Sequence, residues 1–87
     1  MVKGTRAPKY PWSLERENLG GQVRVQFTIG TDGRPRPESL LILSASHPLF
    51  AIAVREALPE MRFVPAMRGG LPVEYVALQA FEFKSRY

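Results

Sequence analysis

Cysteine is absent from this 87-residue chain, histidine occurs once, and no apolar run approaches the length of a membrane span. The first absence excludes disulfide staples and thiolate metal sites, but it leaves the compartment open, because exported bacterial domains can lack cysteine too. The second puts a multi-histidine metal centre out of reach. The third, with no signal peptide at the start, argues against a spanning segment within these residues. Phosphate-binding signatures are missing as well: no GxGxxG or GKS/T pattern surrounds Gly20-Gly21 or Gly69-Gly70. Catalytic constellations are equally scarce. His47 lies near Ser44 and Ser46, but a nucleophile–base pair needs a third, orienting group, and none is evident. Glu15 and Glu17 are two apart, a spacing that does not bring helical side chains together. No catalytic residue, cofactor or metal is expected.

What remains is a chain with 45% apolar and 23% charged residues, the range of a single globular domain. Its formal charge of +4 and pI near 10 suit an acidic partner, an anionic membrane surface or nucleic acid. The basic residues are scattered, however, from Lys3, Arg6 and Lys9 through Arg34 and Arg36 to Arg62 and Arg68. Tyr10, Trp12 and Tyr75 do not interleave with them in the manner of an RNA-recognition sheet. A solvated surface explains this charge better than a nucleic-acid stripe.

Residues 1–9 (MVKGTRAPK) read as a flexible lead, and 10–87 as the domain. Pro11 suits the first position of a short helix over 11–17, with Trp12 and Leu14 turned to the core and Asn18, Gly20 and Gly21 closing it. Val23, Val25, Phe27 and Ile29 alternate with polar residues, the period of a strand with one buried face. Asp32-Gly33 marks a hairpin turn. Pro35 and Pro37 place the returning strand at a sheet edge and guard it, while the register of LLIL at 40–43 is not readable from its pattern. His47 fits a helix N-cap and Pro48 the first helical position. Leu49, Phe50, Ala53, Val54, Ala57 and Leu58 then recur at helical spacing until Pro59. The segment 61–70 carries the chain to a last strand over 73–83. The order is helix, strand, strand, helix, strand.

That last strand is apolar on both faces. Val73, Tyr75, Ala77, Phe81 and Phe83 form one, and Val76, Leu78 and Ala80 the middle of the other. It has no proline from 73 to 83 and no charge between Glu74 and Glu82. As an edge it would be unguarded and open to another strand. The pattern equally allows a central strand, or an edge closed by a second copy of the chain.

The ordered motifs from Tyr10 to Phe83 resemble the C-terminal domain of TonB, the energy transducer of Gram-negative bacteria. They are YP at 10–11, Gly21 with V-x-V-x-F-x-I at 23–29, DG at 32–33, and serines at 44 and 46. F-x-x-A-V-R-x-A at 50–57, RFxPA at 62–66, GxPV at 70–73 and F-x-F at 81–83 complete the set. The chain departs from the pattern at Asn18, Pro35, Ala51 and Pro59-Glu60-Met61, and the stretch from Gly33 to Ser44 fits as if it held an extra residue. It therefore looks like a divergent member.

The resemblance implies an α+β fold, a three-stranded antiparallel sheet with two helices on one face and the last strand at an edge. It implies a periplasmic domain of an inner-membrane-anchored transducer, excised from a longer chain, with residues 1–9 ending a linker. Relatives couple through an N-terminal membrane helix to ExbB–ExbD; that region is not in this chain, and neither nucleic acid nor a cofactor is expected as a partner. The expected partner is the TonB box of an outer-membrane receptor, paired with Val73, Glu74, Tyr75, Val76, Ala77, Leu78, Gln79 and Ala80. Lys9, Tyr10 and Pro11 lie where relatives make further receptor contacts, and a homodimer is compatible with the same edge. Two other roles fit the residues less closely: a TonB-like interaction module of another envelope protein, such as a sensor or protease, and a small basic nucleic-acid binder.

Overall fold

The computed structural model describes residues 7–84; residues 1–6 of the expected lead lie outside the described residues. Helix α1 spans Trp12–Arg16, β1 Gly21–Ile29, β2 Leu41–Ala45, α2 Pro48–Ala57, β3 Ala66–Arg68, β4 Leu71–Val73 and β5 Tyr75–Phe83. Strands β2, β1 and β5 form an antiparallel sheet in that spatial order, with β1 central. The expected three-stranded sheet and two helices are therefore present, and β5 is an edge.

Alternation in β1 decides the layering. Val23, Val25, Phe27 and Ile29 are buried against the helices, and the intervening residues face the other way. Both helices are too short to persist alone in water, so burial holds them. Helix α2 contributes Phe50 and Val54, and Leu58 follows at the next turn, all three with 0% exposure. Each such side chain stabilises the fold by about 1.5–3 kcal/mol. His47 caps α2 as expected: its Nδ1 accepts the Leu49 N–H at 3.1 Å, and Pro48 follows in the first helical turn.

Several expectations need correction. Trp12 is 69% exposed; only Leu14 reaches the core from α1, and the Arg16 guanidinium lies 5.2 Å from the indole centroid. Pro11 occupies the cap position of α1 rather than its first turn. Leu49 is exposed. Asn18, with φ 56°, carries the left-handed exit from α1. Gly21 serves another purpose, since a Cβ there would meet the Phe50 ring and the Ser46 hydroxyl.

The return from β1 is looser than a hairpin. The Asp32-Gly33 turn forms, with the Gly33 N–H donating to Gly30 O at 3.0 Å. Pro35 then makes only an isolated bridge to Ile29, and Pro37–Ser39 is a 3-10 turn. Strand β2 starts at Leu41, so neither proline lies in it or guards it. Its register jumps between the pairs Arg24–Ser44 and Val25–Ile42, which leaves Leu43 as the extra residue of a β-bulge.

The segment after α2 forms a further element. Strands β3 and β4 pair through Arg68–Leu71, and Gly69 and Gly70, at φ 57° and 82°, supply the two left-handed residues of a tight hairpin turn. The last strand is thus shorter than expected. Val73 belongs to β4 opposite Ala66, and Glu74 separates β4 from β5.

Candidate functional site

Backbone direction along β1 determines which groups on β5 are free. Thr28 gives both its backbone groups to the β2 side: its N–H donates to Ser39 Oγ at 2.8 Å, and its carbonyl accepts the Arg36 N–H at 2.8 Å. Gln22 does the same, exchanging bonds with Ser46 Oγ and the Ser46 N–H, both at 3.0 Å. Successive residues of a strand direct these groups to opposite sides. The odd residues of β1 therefore face β5, where Ile29, Phe27, Val25, Val23 and Gly21 stand opposite Tyr75, Ala77, Gln79, Phe81 and Phe83. Those five β5 residues are engaged. The N–H and C=O groups of Val76, Leu78, Ala80 and Glu82 point outward along an edge with no strand beside it among the described residues.

The same four residues turn their side chains to the sheet face opposite the helices. Val76 is 61% and Leu78 72% exposed, and Leu41 of β2, in the same cross-strand row as Leu78, is exposed on that face. Leu41, Gln26 and Leu78 form one cross-strand row, and Ser44, Arg24 and Ala80 another. The carboxylates at the two ends of the β5 run are each matched: Glu74 lies 3.3 Å from Arg36, and Glu82 3.3 Å from Lys84.

The opposite edge of the sheet is less suited to pairing. Leu41 and Ser44 face β1, which leaves Ile42 and Ala45 outward on either side of the bulge at Leu43. A bulge interrupts the regular spacing that an incoming strand needs. Edge β5 has no such interruption in its register from Tyr75 to Phe83.

The structure divides the sequence-predicted residues into groups. Val76, Leu78 and Ala80 lie on the free edge. Tyr75, Ala77 and Gln79 are half-buried, with backbones bound to β1, and the Tyr75 hydroxyl donates to Val64 O at 3.0 Å. Val73 is paired in β4, and Glu74 is the joint. Glu82 completes the free edge beyond the predicted span; the F-x-F run at 81–83 was the available signal, since it extends the strand past Ala80.

Lys9, Tyr10 and Pro11 are brought together elsewhere, on a groove of about 490 Å³ that also takes in Trp12, Ile52 and Glu56. Tyr10 is held from within. Its ring meets Phe50 and Phe83 edge-on, with centroids 5.7 and 5.5 Å away, and its hydroxyl donates to Leu19 O at 2.6 Å. Among the described residues no cluster of His, Cys, Asp and Glu is placed to hold a metal ion, and no helix is long and apolar enough to cross a membrane.

Comparison with known proteins gives consistent results. The family model described as the Gram-negative bacterial TonB protein C-terminal matches residues 6–85. Protein TonB of Pseudomonas aeruginosa is 35% identical over 77 residues, which make up 88% of this chain and 22% of that protein. The solution NMR structure of the Pseudomonas aeruginosa TonB CTD superposes with a TM-score of 0.79 at 32% identity, covering 95% of this chain and 83% of that one. A structure of the tonb2 protein from Vibrio anguillarum reaches a TM-score of 0.74 at 24% identity, covering 100% of this chain and 82% of the other, a likeness of fold.

Proposed function

The chain belongs to the Gram-negative bacterial TonB C-terminal family, and on that premise we propose that β5 receives the TonB box of an outer-membrane receptor as a fourth strand. Members of this family are binding domains, not enzymes. The observation that carries the proposal is the free edge itself: Val76, Leu78, Ala80 and Glu82 offer backbone groups in unbroken register. Strand addition draws its affinity from such groups and its selectivity from alternate side chains. Here those side chains are Val76, Leu78 and Ala80.

In this reading the domain works in the periplasm, and residues 1–9 end a linker from an inner-membrane anchor driven by ExbB–ExbD. A pull along paired strands loads several hydrogen bonds together, so a complex of modest affinity still transmits force to the receptor. Titration of isotopically labelled protein with TonB-box peptides from the same organism tests the reading. The amides of Val76, Leu78, Ala80 and Glu82 should shift and gain protection from exchange. If they stay unmoved while amides elsewhere respond, the binding site is not this edge. A concentration series by ultracentrifugation separates peptide binding from pairing of two copies through the same edge.

A further inference from the structure

Arg24 is the charge on the open sheet face that nothing among the described residues matches. Its side chain is exposed, and among the described residues it makes no ion pair or side-chain hydrogen bond. Its neighbours across the two strand pairings are Ser44 and Ala80, neither of which is acidic. Glu82 lies diagonal to it, two residues from Ala80, but the Glu82 carboxylate is 3.3 Å from Lys84.

The register places this arginine within reach of the free edge. Ala80 stands directly between Arg24 and that edge. In the row on one side the residue in this place is Leu78 beside Gln26, with Val76 beside Thr28 one row further, and in the row on the other side it is Glu82 beside Gln22. A methyl group leaves a long side chain a path over β5, whereas leucine or valine blocks it. An added strand would lie two inter-strand spacings from β1, about 10 Å between backbones. An arginine and a glutamate extending toward each other over a methyl group close that distance.

We propose that Arg24 sets the chemistry of the partner segment: the added strand carries a carboxylate at the position paired with Ala80. Apolar side chains then fall at the next two alternate positions, opposite Leu78 and Val76. The assignment rests on strand addition at β5 and specifies which segments that edge selects. Arg24 acts on a rim contact, so its effect is on selectivity and salt dependence.

Short end-blocked threonine peptides, made in both chain directions, provide the test. Each carries valine opposite Leu78 and Val76, and either glutamate or lysine opposite Ala80. Affinities are measured at low and high salt for the unaltered domain, Arg24→Gln and Arg24→Glu, with exchange of the β5 amides followed in parallel. The unaltered domain should prefer the glutamate peptide by about fivefold at low salt. That preference should shrink at high salt, vanish in Arg24→Gln and reverse in Arg24→Glu. Protection of the Val76, Leu78, Ala80 and Glu82 amides with no difference between the peptides would overturn the role of Arg24 and leave strand addition standing. No protection with any peptide would overturn both.

Discussion

The rings of Phe50 and Phe83 stack with centroids 4.4 Å apart and planes 20° from parallel, joining α2 to the end of the edge strand. Gly21, opposite Phe83 in the sheet, permits this contact because a side chain there would strike Phe50. The edge proposed to bind a partner is thus anchored at one end by an aromatic contact that depends on a missing Cβ.

Gly21→Ala should destabilise the domain by about 1–3 kcal/mol, the usual cost of forcing atoms into a filled core. Urea unfolding checks it: the midpoint falls while the slope stays constant. An unchanged midpoint would mean that Phe50 shifts aside without cost.

Tyr10 is placed to act in packing. Tyr10→Phe removes the hydrogen bond to Leu19 O and should cost about 1 kcal/mol. Tyr10→Ala also removes both edge-on ring contacts and should cost about 3 kcal/mol. Peptide affinity measured well below the unfolding transition should be the same in Tyr10→Phe as in the parent. A clear loss there would assign the hydroxyl to the partner.

Alternation along β5 predicts opposite outcomes for neighbouring prolines. Gln79→Pro removes an N–H directed at β1 and should destabilise by about 3 kcal/mol or more. Leu78→Pro removes an N–H directed at the free edge, as tolerated in edge strands, and should cost much less while abolishing peptide binding. Thermal unfolding and titration of both variants decide this; equal destabilisation would refute the assigned alternation.

The tight turn of the β3–β4 hairpin has open space around both glycines, so only backbone conformation constrains them. Gly70→Val should cost about 1–2 kcal/mol through its left-handed φ, with the loss confined to the hairpin. Amide exchange in Ala66–Arg68 should accelerate, and exchange at the odd residues of β5 should not.

Asp32 supplies a pH-dependent term. The Arg34 N–H donates to its Oδ1 at 3.0 Å and, with the nearby Arg36 and Arg34 charges, holds the carboxyl below its ordinary range. A folded-state pKa below the unfolded one stabilises the fold above the unfolded value, about 3.9, and the benefit disappears as pH falls through the lower folded pKa. The stability gap between the parent and Asp32→Asn should therefore narrow as pH drops below about 4. The carboxylate is solvent-exposed, so the gap is small, and a gap that widens on acidification would contradict the assignment.

Elements whose signals are local were legible in the residues. The alternation of β1, the Asp32-Gly33 turn, the cap at His47-Pro48 and the stop at Pro59 each rest on neighbouring residues, and each appears in place. The β3–β4 hairpin is not legible because Pro65 abuts β3 and Pro72 lies within β4, leaving only Gly69-Gly70 as a signal. Hydrophobicity points Trp12 to the core, yet a five-residue helix turns little of its surface inward, and Leu14 takes that place. Of the candidate site, the unguarded character of the last strand and the place of Arg24 on the polar face of β1 were legible in the residues, whereas the pairing that sets Arg24 beside Ala80 was not.

By itself, then, the amino-acid order determined that the last strand has an apolar face to bury and no proline or central charge to protect its edge. Periodicity is a property of one segment and needs no partner to be read. Whether that strand is central or peripheral, and which residues carry its free groups, was decided by the tertiary structure. Those answers depend on β1 lying between β2 and β5 with its even residues bonded to one side. The open face acquired Arg24 in the same way, through a strand pairing that sets it beside Ala80, distant in sequence and adjacent in the sheet.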